Sequence, residues 1–302
     1  MTFLLAALTA GSLLITTRDS LTFVDGTHRQ GASAGPQAHG YRVLETLPDG
    51  SAIVAYTDSG TVVVEAVTPD LRARRIRQFA LGTGGMVAPA VNGFLIVDSS
   101  AQLVRRYNAA GETVGAPIAA GPDNMLGLAD VTVTSGGGRV ALYDRSGHER
   151  RQEVFDAGAL TAVGSDHFAV IDGRDGEVRI YDSNLKRSAT IVPQNRTIRM
   201  VAAAPDGTLA ILTGTPSCTT NDAEIDLYPL DAKNASVVVR PLLAPVSTLA
   251  LTSDVLYVGN GRCRGGAEPW VSVFARDGKD QTTIGNIDTP TGIVPFALAA
   301  PK

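Results

Sequence analysis

Two cysteines are the residues best suited to covalent chemistry in this sequence. Cys218 and Cys263 lie in segments rich in Gly, Ser, Thr and Arg, whereas free cysteines are usually buried among apolar residues. We therefore predict a disulfide between them, and two unrelated free thiols are the alternative. A disulfide closing a loop of about 45 residues can stabilise a fold by several kcal/mol and is typical of an oxidising compartment. The sequence thus favours an extracytoplasmic location in the periplasm, at the cell surface or outside the cell.

Charged and amide side chains accompany the cysteines. Arg262 and Arg264 flank Cys263 and would form a positive patch suited to carboxylate or phosphate groups, unless they are only solvated loop charges. We predict a binding face on the same side of the molecule. Its candidate residues are Arg262, Arg264, Asn260, Asn221, Asp222, Asp144 and Arg174.

Aspartates recur at the predicted ends of apolar strands. They are Asp19, Asp58, Asp98, Asp144 and Asp172. Aspartate at such a position commonly caps the following turn through its own backbone. The functional alternative is a ring of oxygen ligands for Ca²⁺.

No motif of a known catalytic class is complete. Residues 31–35 read GASAG and match the G-x-S-x-G pattern, but neither a strand before it nor a helix after it is predicted. The four histidines, His28, His39, His148 and His167, lack the close spacing of a histidine-rich metal site. We therefore predict no catalytic residue.

Composition indicates a globular protein. The 302 residues are 44% hydrophobic and 19% charged, and the net charge of −4 offers no basic field for nucleic acid. The longest apolar run, residues 3–15, is shorter than the roughly 20 residues of a membrane-spanning helix. We interpret it as the first strand pair of a repeat, with a signal peptide as the alternative.

A repeat of about 40 residues organises the chain. Each copy has an apolar strand, a tight turn, a second apolar strand and a more polar third strand. Residues 200–213 show it best, with Asp206-Gly207 at the turn, and residues 44–57 repeat it with Asp49-Gly50. Asp-Gly between apolar runs is a strong hairpin signal. The second strands are predicted to begin near Ser12, Ser51, Gly93, Arg139, His167, Thr208 and Asp254.

Seven such copies predict an all-β fold in one domain that spans residues 1–302. The predicted architecture is a β-propeller of seven blades, each with about four antiparallel strands. The short interval between Arg139 and His167 predicts a fourth blade that has lost or shortened an outer strand. The C-terminal residues 292–300 are expected to pair with the N-terminal blade and close the ring. A truncated eighth blade is the alternative.

The repeat resembles the NHL and YVTN-type propellers of bacteria. The resemblance rests on Pro-Asp-Gly turns at residues 48–50 and 205–207 and on VIDGRDGEVRIYDSN at residues 170–184, and it extends over essentially the whole chain. The single Trp270 departs from the tryptophan-bearing signatures of WD40, quinoprotein and sialidase propellers. The superfamily includes binding platforms, lactonases, lyases and sensors, so the resemblance implies a fold and not one activity.

Two functions follow from these observations. The favoured one is a monomeric, non-catalytic binding scaffold without a cofactor, in which the long loops at residues 214–222 and 259–269 contact a protein, glycan or small molecule. The resemblance also implies an alternative, a lactonase- or lyase-like hydrolase with a central divalent ion such as Ca²⁺. Candidate ligands for that ion are Asp123, Asn124, Asn195 and Asn260.

Overall fold

The computed structural model describes residues 12–25, 28–47, 49–80, 86–98, 101–119, 121–195, 197–220, 222–230, 235–241, 244–263, 268–279, 281–285 and 287–295. These residues form strands, turns and irregular segments, and no helix occurs among them. Accordingly, the described part of the chain offers no helix that could cross a membrane. The all-β expectation is confirmed.

The strands are numbered in chain order. The first half of the chain contains β1 (Leu13–Thr17), β2 (Leu21–Asp25), β3 (His28–Ala32), β4 (Ala38–Thr46), β5 (Ala52–Asp58), β6 (Thr61–Val67), β7 (Ala73–Ala80), β8 (Met86–Ala90), β9 (Gly93–Asp98), β10 (Leu103–Asn108), β11 (Ile118–Ala119), β12 (Asn124–Gly127), β13 (Thr132–Gly136), β14 (Arg139–Tyr143) and β15 (Glu149–Val154). The second half contains β16 (Ala157–Val163), β17 (His167–Asp172), β18 (Glu177–Asp182), β19 (Arg187–Ile191), β20 (Ile198–Ala203), β21 (Leu209–Thr213), β22 (Glu224–Tyr228), β23 (Val237–Val239), β24 (Val246–Leu251), β25 (Val255–Asn260), β26 (Trp270–Ala275), β27 (Gln281–Ile284) and β28 (Pro290–Pro295).

Five four-stranded sheets and one eight-stranded sheet are built from these strands. Strands β4–β7, β16–β19, β20–β23 and β24–β27 each form a sheet in chain order, and the fifth sheet has the order β28-β1-β2-β3. The eight-stranded sheet has the order β11-β10-β9-β8-β12-β13-β14-β15. It consists of two four-strand units that meet through one parallel residue pair, Gly127 with Ala90. The other described pairings within the sheets are antiparallel.

The sheets follow one another in a propeller-like ring. The first strand of each unit contacts the first strand of the next, from β28 through β4, β8, β12, β16, β20 and β24 back to β28. Clusters of buried apolar side chains fill the spaces between neighbouring sheets; in one of them Ile53 and Val64 pack with Phe94 and Ile96. The core therefore lies between the sheets, as expected for strands that repeat radially.

Burial is greatest in the second strands and least in the outer, fourth strands. All five residues of β1 and all five of β21 are buried, whereas most residues of the outer strands β7 and β15 are exposed. The second strands β1 and β21 are thus covered on both faces. Continuous apolar sequence suits a strand covered on two sides, and a polar outer strand protects the edge of a sheet.

The predicted Asp-Gly turns form between the first and second strands. The Oδ1 atoms of Asp49 and Asp206 accept hydrogen bonds from the amides of Ser51 and Thr208, both at 3.0 Å. Gly207 has a φ of 85°, a left-handed conformation that glycine adopts without steric cost.

The N- and C-terminal segments pair as expected. In the antiparallel pair of β28 and β1, Val294 lies opposite Leu14 and Ile293 opposite Ile15. The outer strand β3 forms although its sequence, HRQGA, carries little strand signal. The expected strand at residues 3–9 lies outside the described residues.

The prediction of a shortened fourth unit was wrong. The hairpin around residues 136–138 joins β13 to β14, which are the second and third strands of that unit, and β15 is its fourth strand. The first strand of the unit is β12, which is only four residues long and was not predicted from the sequence pattern. The unit therefore has four strands, and the interval of 28 residues came from comparing a third strand with a second one.

The antiparallel order gives the ring two distinct ends. Connections from first to second and from third to fourth strands lie at one end, and connections from second to third strands lie at the other. We call the latter the disulfide end, defined by the loops after β5, β9, β17, β21 and β25. We call the former the cavity end, defined by the C-terminal ends of β4, β16, β20, β24 and β28.

Candidate functional site

A disulfide joins two loops at the disulfide end. Cys218, in the loop after β21, is bonded to Cys263, in the loop after β25, with a Cα–Cα distance of 5.6 Å. The predicted pairing is confirmed. The bond holds together the loops of neighbouring sheets, which could otherwise move independently.

The charges beside this disulfide are locally compensated. Arg262 forms an ion pair with Glu268, and the side chains of both residues are more than half exposed. Asp222 is exposed and accepts a hydrogen bond from the amide of Thr215 at 3.2 Å. Two further predicted residues of the binding face, Asn221 and Arg264, lie outside the described residues.

Asn260 lies in the interior and not on the surface. It is 0% exposed, and its Nδ2 donates hydrogen bonds to the Val258 carbonyl at 3.0 Å and to Ser272 Oγ at 3.1 Å. The Trp270 indole donates to the same Ser272 hydroxyl at 2.9 Å. Asn260 therefore supports the base of the Cys263 loop, a role that its position at a strand end did not reveal.

Asp144 lies at the cavity end, because it follows a third strand and not a second one. Its Oδ1 accepts hydrogen bonds from the Ser146 amide at 2.9 Å, the Ser146 hydroxyl at 2.5 Å and the His148 amide at 3.1 Å. The Ser146 hydroxyl, with the other donors, lowers the pKa of Asp144 to about 2. Asp144 thus caps a turn on the end opposite to the disulfide. This corrects its predicted position.

Arg174 lies at the disulfide end, next to a dense ionic cluster. Its amide donates to Asp172 Oδ1 at 3.0 Å, and its side chain is exposed. We define the Arg179 cluster as Arg179 with the carboxylates of Glu153, Asp172, Asp175 and Glu177.

The Arg179 cluster contains the one group of metal-ligating side chains found among the described residues, namely Asp172, Asp175 and Glu177. The Arg179 guanidinium contacts all three carboxylates at 2.5, 3.2 and 2.7 Å and reaches Glu153 at 3.2 Å. It also covers the Phe155 ring at 4.2 Å from the centroid. The positive charge that these carboxylates require is therefore supplied by an arginine.

Two other predicted metal ligands, Asn195 and Asn124, contact groups of the protein itself. Asn195 Oδ1 accepts from the Thr197 amide at 3.0 Å, and Asn124 Nδ2 lies 3.4 Å from the Gly158 carbonyl. Asp123 is exposed. Asp58 and Asp98 accept hydrogen bonds within their own turns, from Ser59 and Ala101 respectively. These contacts support the turn-capping interpretation of the strand-end aspartates.

A central cavity opens at the cavity end. Its volume is about 550 Å³, and the ends of the first strands of five sheets line it. The lining is mainly valine, alanine and leucine, and Glu45 is the one charged residue among the described lining residues. Burial raises the pKa of Glu45 to about 7, although the Thr46 amide partly compensates its charge. Sequence reasoning missed Glu45, because nothing in its neighbourhood marks residue 45 as facing a cavity.

Comparison with known proteins supports the fold. No protein-family model matches this sequence, and no curated protein matches it. A functionally unknown protein from Desulfotomaculum acetoxidans is similar in structure, with a TM-score of 0.63, 13% identity and coverage of 94% of this chain and 98% of that one. Citrobacter koseri AztD has a TM-score of 0.62 at 10% identity, covering 95% and 97% of the two chains. Kluyveromyces lactis Hsv2 has a TM-score of 0.60 at 10% identity, covering 96% and 97%.

At such identities structural likeness establishes the fold alone. Hsv2 and AztD are propeller-type proteins, and the ring of sheets agrees with them. The chain therefore has an all-β, propeller-like fold.

Proposed function

We propose that this protein is a non-catalytic, monomeric binding scaffold, an extracytoplasmic seven-bladed propeller of the NHL/YVTN type that binds its partner at the disulfide end. Counting the two units of the eight-stranded sheet separately gives seven four-strand units, and the pairing of β28 with β1 supports a closed ring. The observation that carries the binding proposal is the disulfide between loops of adjacent sheets.

A covalent link between recognition loops favours binding. Ordering flexible loops during association costs free energy, and a link formed before binding reduces that cost. The linked surface presents exposed hydroxyl groups, those of Thr219 and Thr220, beside the compensated Arg262–Glu268 pair. Such a surface suits a protein or glycan that forms hydrogen bonds, or a polar small molecule. The disulfide also supports an oxidising compartment.

The test compares two matched substitutions at opposite ends of the ring. Thr219→Arg places a bulky charge at the disulfide end, and Thr113→Arg places the same charge at an exposed site in the β10–β11 connection, at the cavity end. Purified, tagged protein is used to capture partners from extracts of the source organism, followed by quantitative mass spectrometry. We expect partners captured by the wild type to be retained by Thr113→Arg and lost by Thr219→Arg. Equal capture by both variants, or loss with Thr113→Arg alone, would contradict the proposal.

The alternative of a central divalent-metal hydrolase is not favoured, because the described lining of the central cavity holds one carboxylate, Glu45, and the one carboxylate cluster among the described residues is contacted by Arg179. Metal analysis of the purified protein and thermal melts with and without EDTA distinguish the two functions. The scaffold proposal predicts no stoichiometric divalent ion and no shift in melting temperature. One bound ion per chain together with a lower melting temperature in EDTA would overturn it.

A further inference from the structure

The central cavity has the size and lining of a small-molecule site. A volume of about 550 Å³ lies within the usual range for ligand pockets, which are mostly apolar with a few polar groups. The apolar wall includes Val201, Ala202, Leu249 and Val294. A ligand with a hydrocarbon body would gain burial against these side chains.

The polar groups of the wall narrow the class of ligand. The hydroxyls of Thr161 and Thr252 donate hydrogen bonds to the Val201 and Val255 carbonyls, so their protons are already used. Glu45 remains as the charged group; it is half-buried, and among the described residues no charged side chain lies near enough to shift its pKa. A carboxylate that is partly removed from water and lacks a cationic partner is unfavourable until a cation approaches it.

We propose that the central cavity binds a small organic cation, with its ammonium group at Glu45 and its hydrocarbon body against the apolar wall that includes Val201 and Leu249. This site is separate from the loop surface at the disulfide end. A lone carboxylate provides too few oxygens for a divalent metal ion, and the apolar wall provides none. A protonated alkylamine has an ammonium group that can pair with Glu45 and a hydrocarbon chain that can pack against the apolar wall.

The probes are hexylamine, hexanol and hexanoate, which share one hydrocarbon chain and differ in charge. Binding is measured by titration calorimetry at pH 8. We expect hexylamine to bind at least about tenfold more tightly than hexanol, and hexanoate to bind more weakly than either. Equal affinity for hexylamine and hexanol, or no binding of any probe at millimolar concentration, would overturn the proposal.

Matched variants assign the site. Glu45→Gln should reduce hexylamine affinity to that of hexanol, whereas Glu112→Gln, an exposed carboxylate in the β10–β11 connection, should leave it unchanged. Ala202→Leu, which adds bulk to the wall, should weaken both hexylamine and hexanol. Retention of wild-type hexylamine affinity by Glu45→Gln would overturn the proposal.

The pH dependence provides a second readout. Alkylamines stay protonated at pH values around 7, since their pKa is close to that of lysine. Glu45 is the one titratable group among the described lining residues, so affinity should rise as pH increases through about 7. A pH-independent affinity in the wild type would contradict the assignment to Glu45.

Discussion

The two ends of the ring differ in how their charges and loops are held. At the disulfide end, a covalent bond joins two loops, and Arg179 forms ion pairs with four carboxylates from two neighbouring units. At the cavity end, the ends of the first strands surround a mainly apolar space with one carboxylate, Glu45, which has no cationic partner among the described residues. The carboxylates of the Arg179 cluster have a cationic partner within the protein, whereas Glu45 has none among the described residues. The comparison shows that one repeated unit can build a cross-linked surface at one end and an open cavity at the other.

The largest expected effect concerns the Arg179 cluster. Arg179→Met leaves the carboxylates of Asp172 and its neighbours without their common partner, and we expect a loss of about 3–5 kcal/mol in the free energy of unfolding. Arg187→Met is the control, because the Arg187 side chain is 42% exposed and its one ion pair among the described residues is with Glu153. Chemical denaturation measures both. Equal small losses in the two variants would show that the cluster does not stabilise the disulfide end.

The second effect concerns the disulfide. Replacing both Cys218 and Cys263 by Ser releases a cross-link spanning 45 residues and should cost about 2–4 kcal/mol of unfolding free energy. Treating the wild type with a reductant should produce the same loss, and the double variant should not respond to reductant. If reduction leaves the wild-type stability unchanged, the disulfide end is held by packing alone.

The third effect is an increase in the free energy of unfolding, and it concerns Glu45 at the cavity end. The pKa of Glu45 is raised from 4.5 to about 7 in the folded state. The folded state therefore loses stability as pH rises from about 4.5 to about 7, while the unfolded chain ionises first. Glu45→Gln removes this penalty, so it should stabilise the protein by about 2 kcal/mol at pH 8 and have little effect at pH 4. Denaturation curves at the two pH values test this, and destabilisation at pH 8 would contradict it.

The smallest effect is confined to one turn of the cavity end. The pKa of Asp144 is lowered to about 2, first of all by the Ser146 hydroxyl, so its contribution is present above pH 3.8 and is lost as pH falls through about 2. Asp144→Asn should accelerate hydrogen exchange at the amides of Ser146 and His148 at neutral pH. Amides around Cys218 should be unaffected. A change at both ends would show that the ends are coupled.

Much of the fold could be predicted because its signals are local. Alternating apolar strands and Asp-Gly turns fix each hairpin from adjacent residues, and six of the seven second strands began where the pattern placed them or one residue later. The strand β12 was missed because four residues carry little periodicity, and this shifted the assignment of Asp144 to the wrong end. The disulfide was predictable because its cysteines are one repeat apart in equivalent loops.

The sequence by itself determined the strand repeat, its turns, the pairing of the chain termini and the cysteine pair, because each depends on spacing along the chain. Only the tertiary structure decided the environment of individual polar side chains. Asn260 is buried, and Arg179 contacts carboxylates from two neighbouring units. Glu45 lines a cavity bounded by strands that are far apart in sequence. These outcomes depend on which sheets meet and which strand ends converge, and closing the ring determines both.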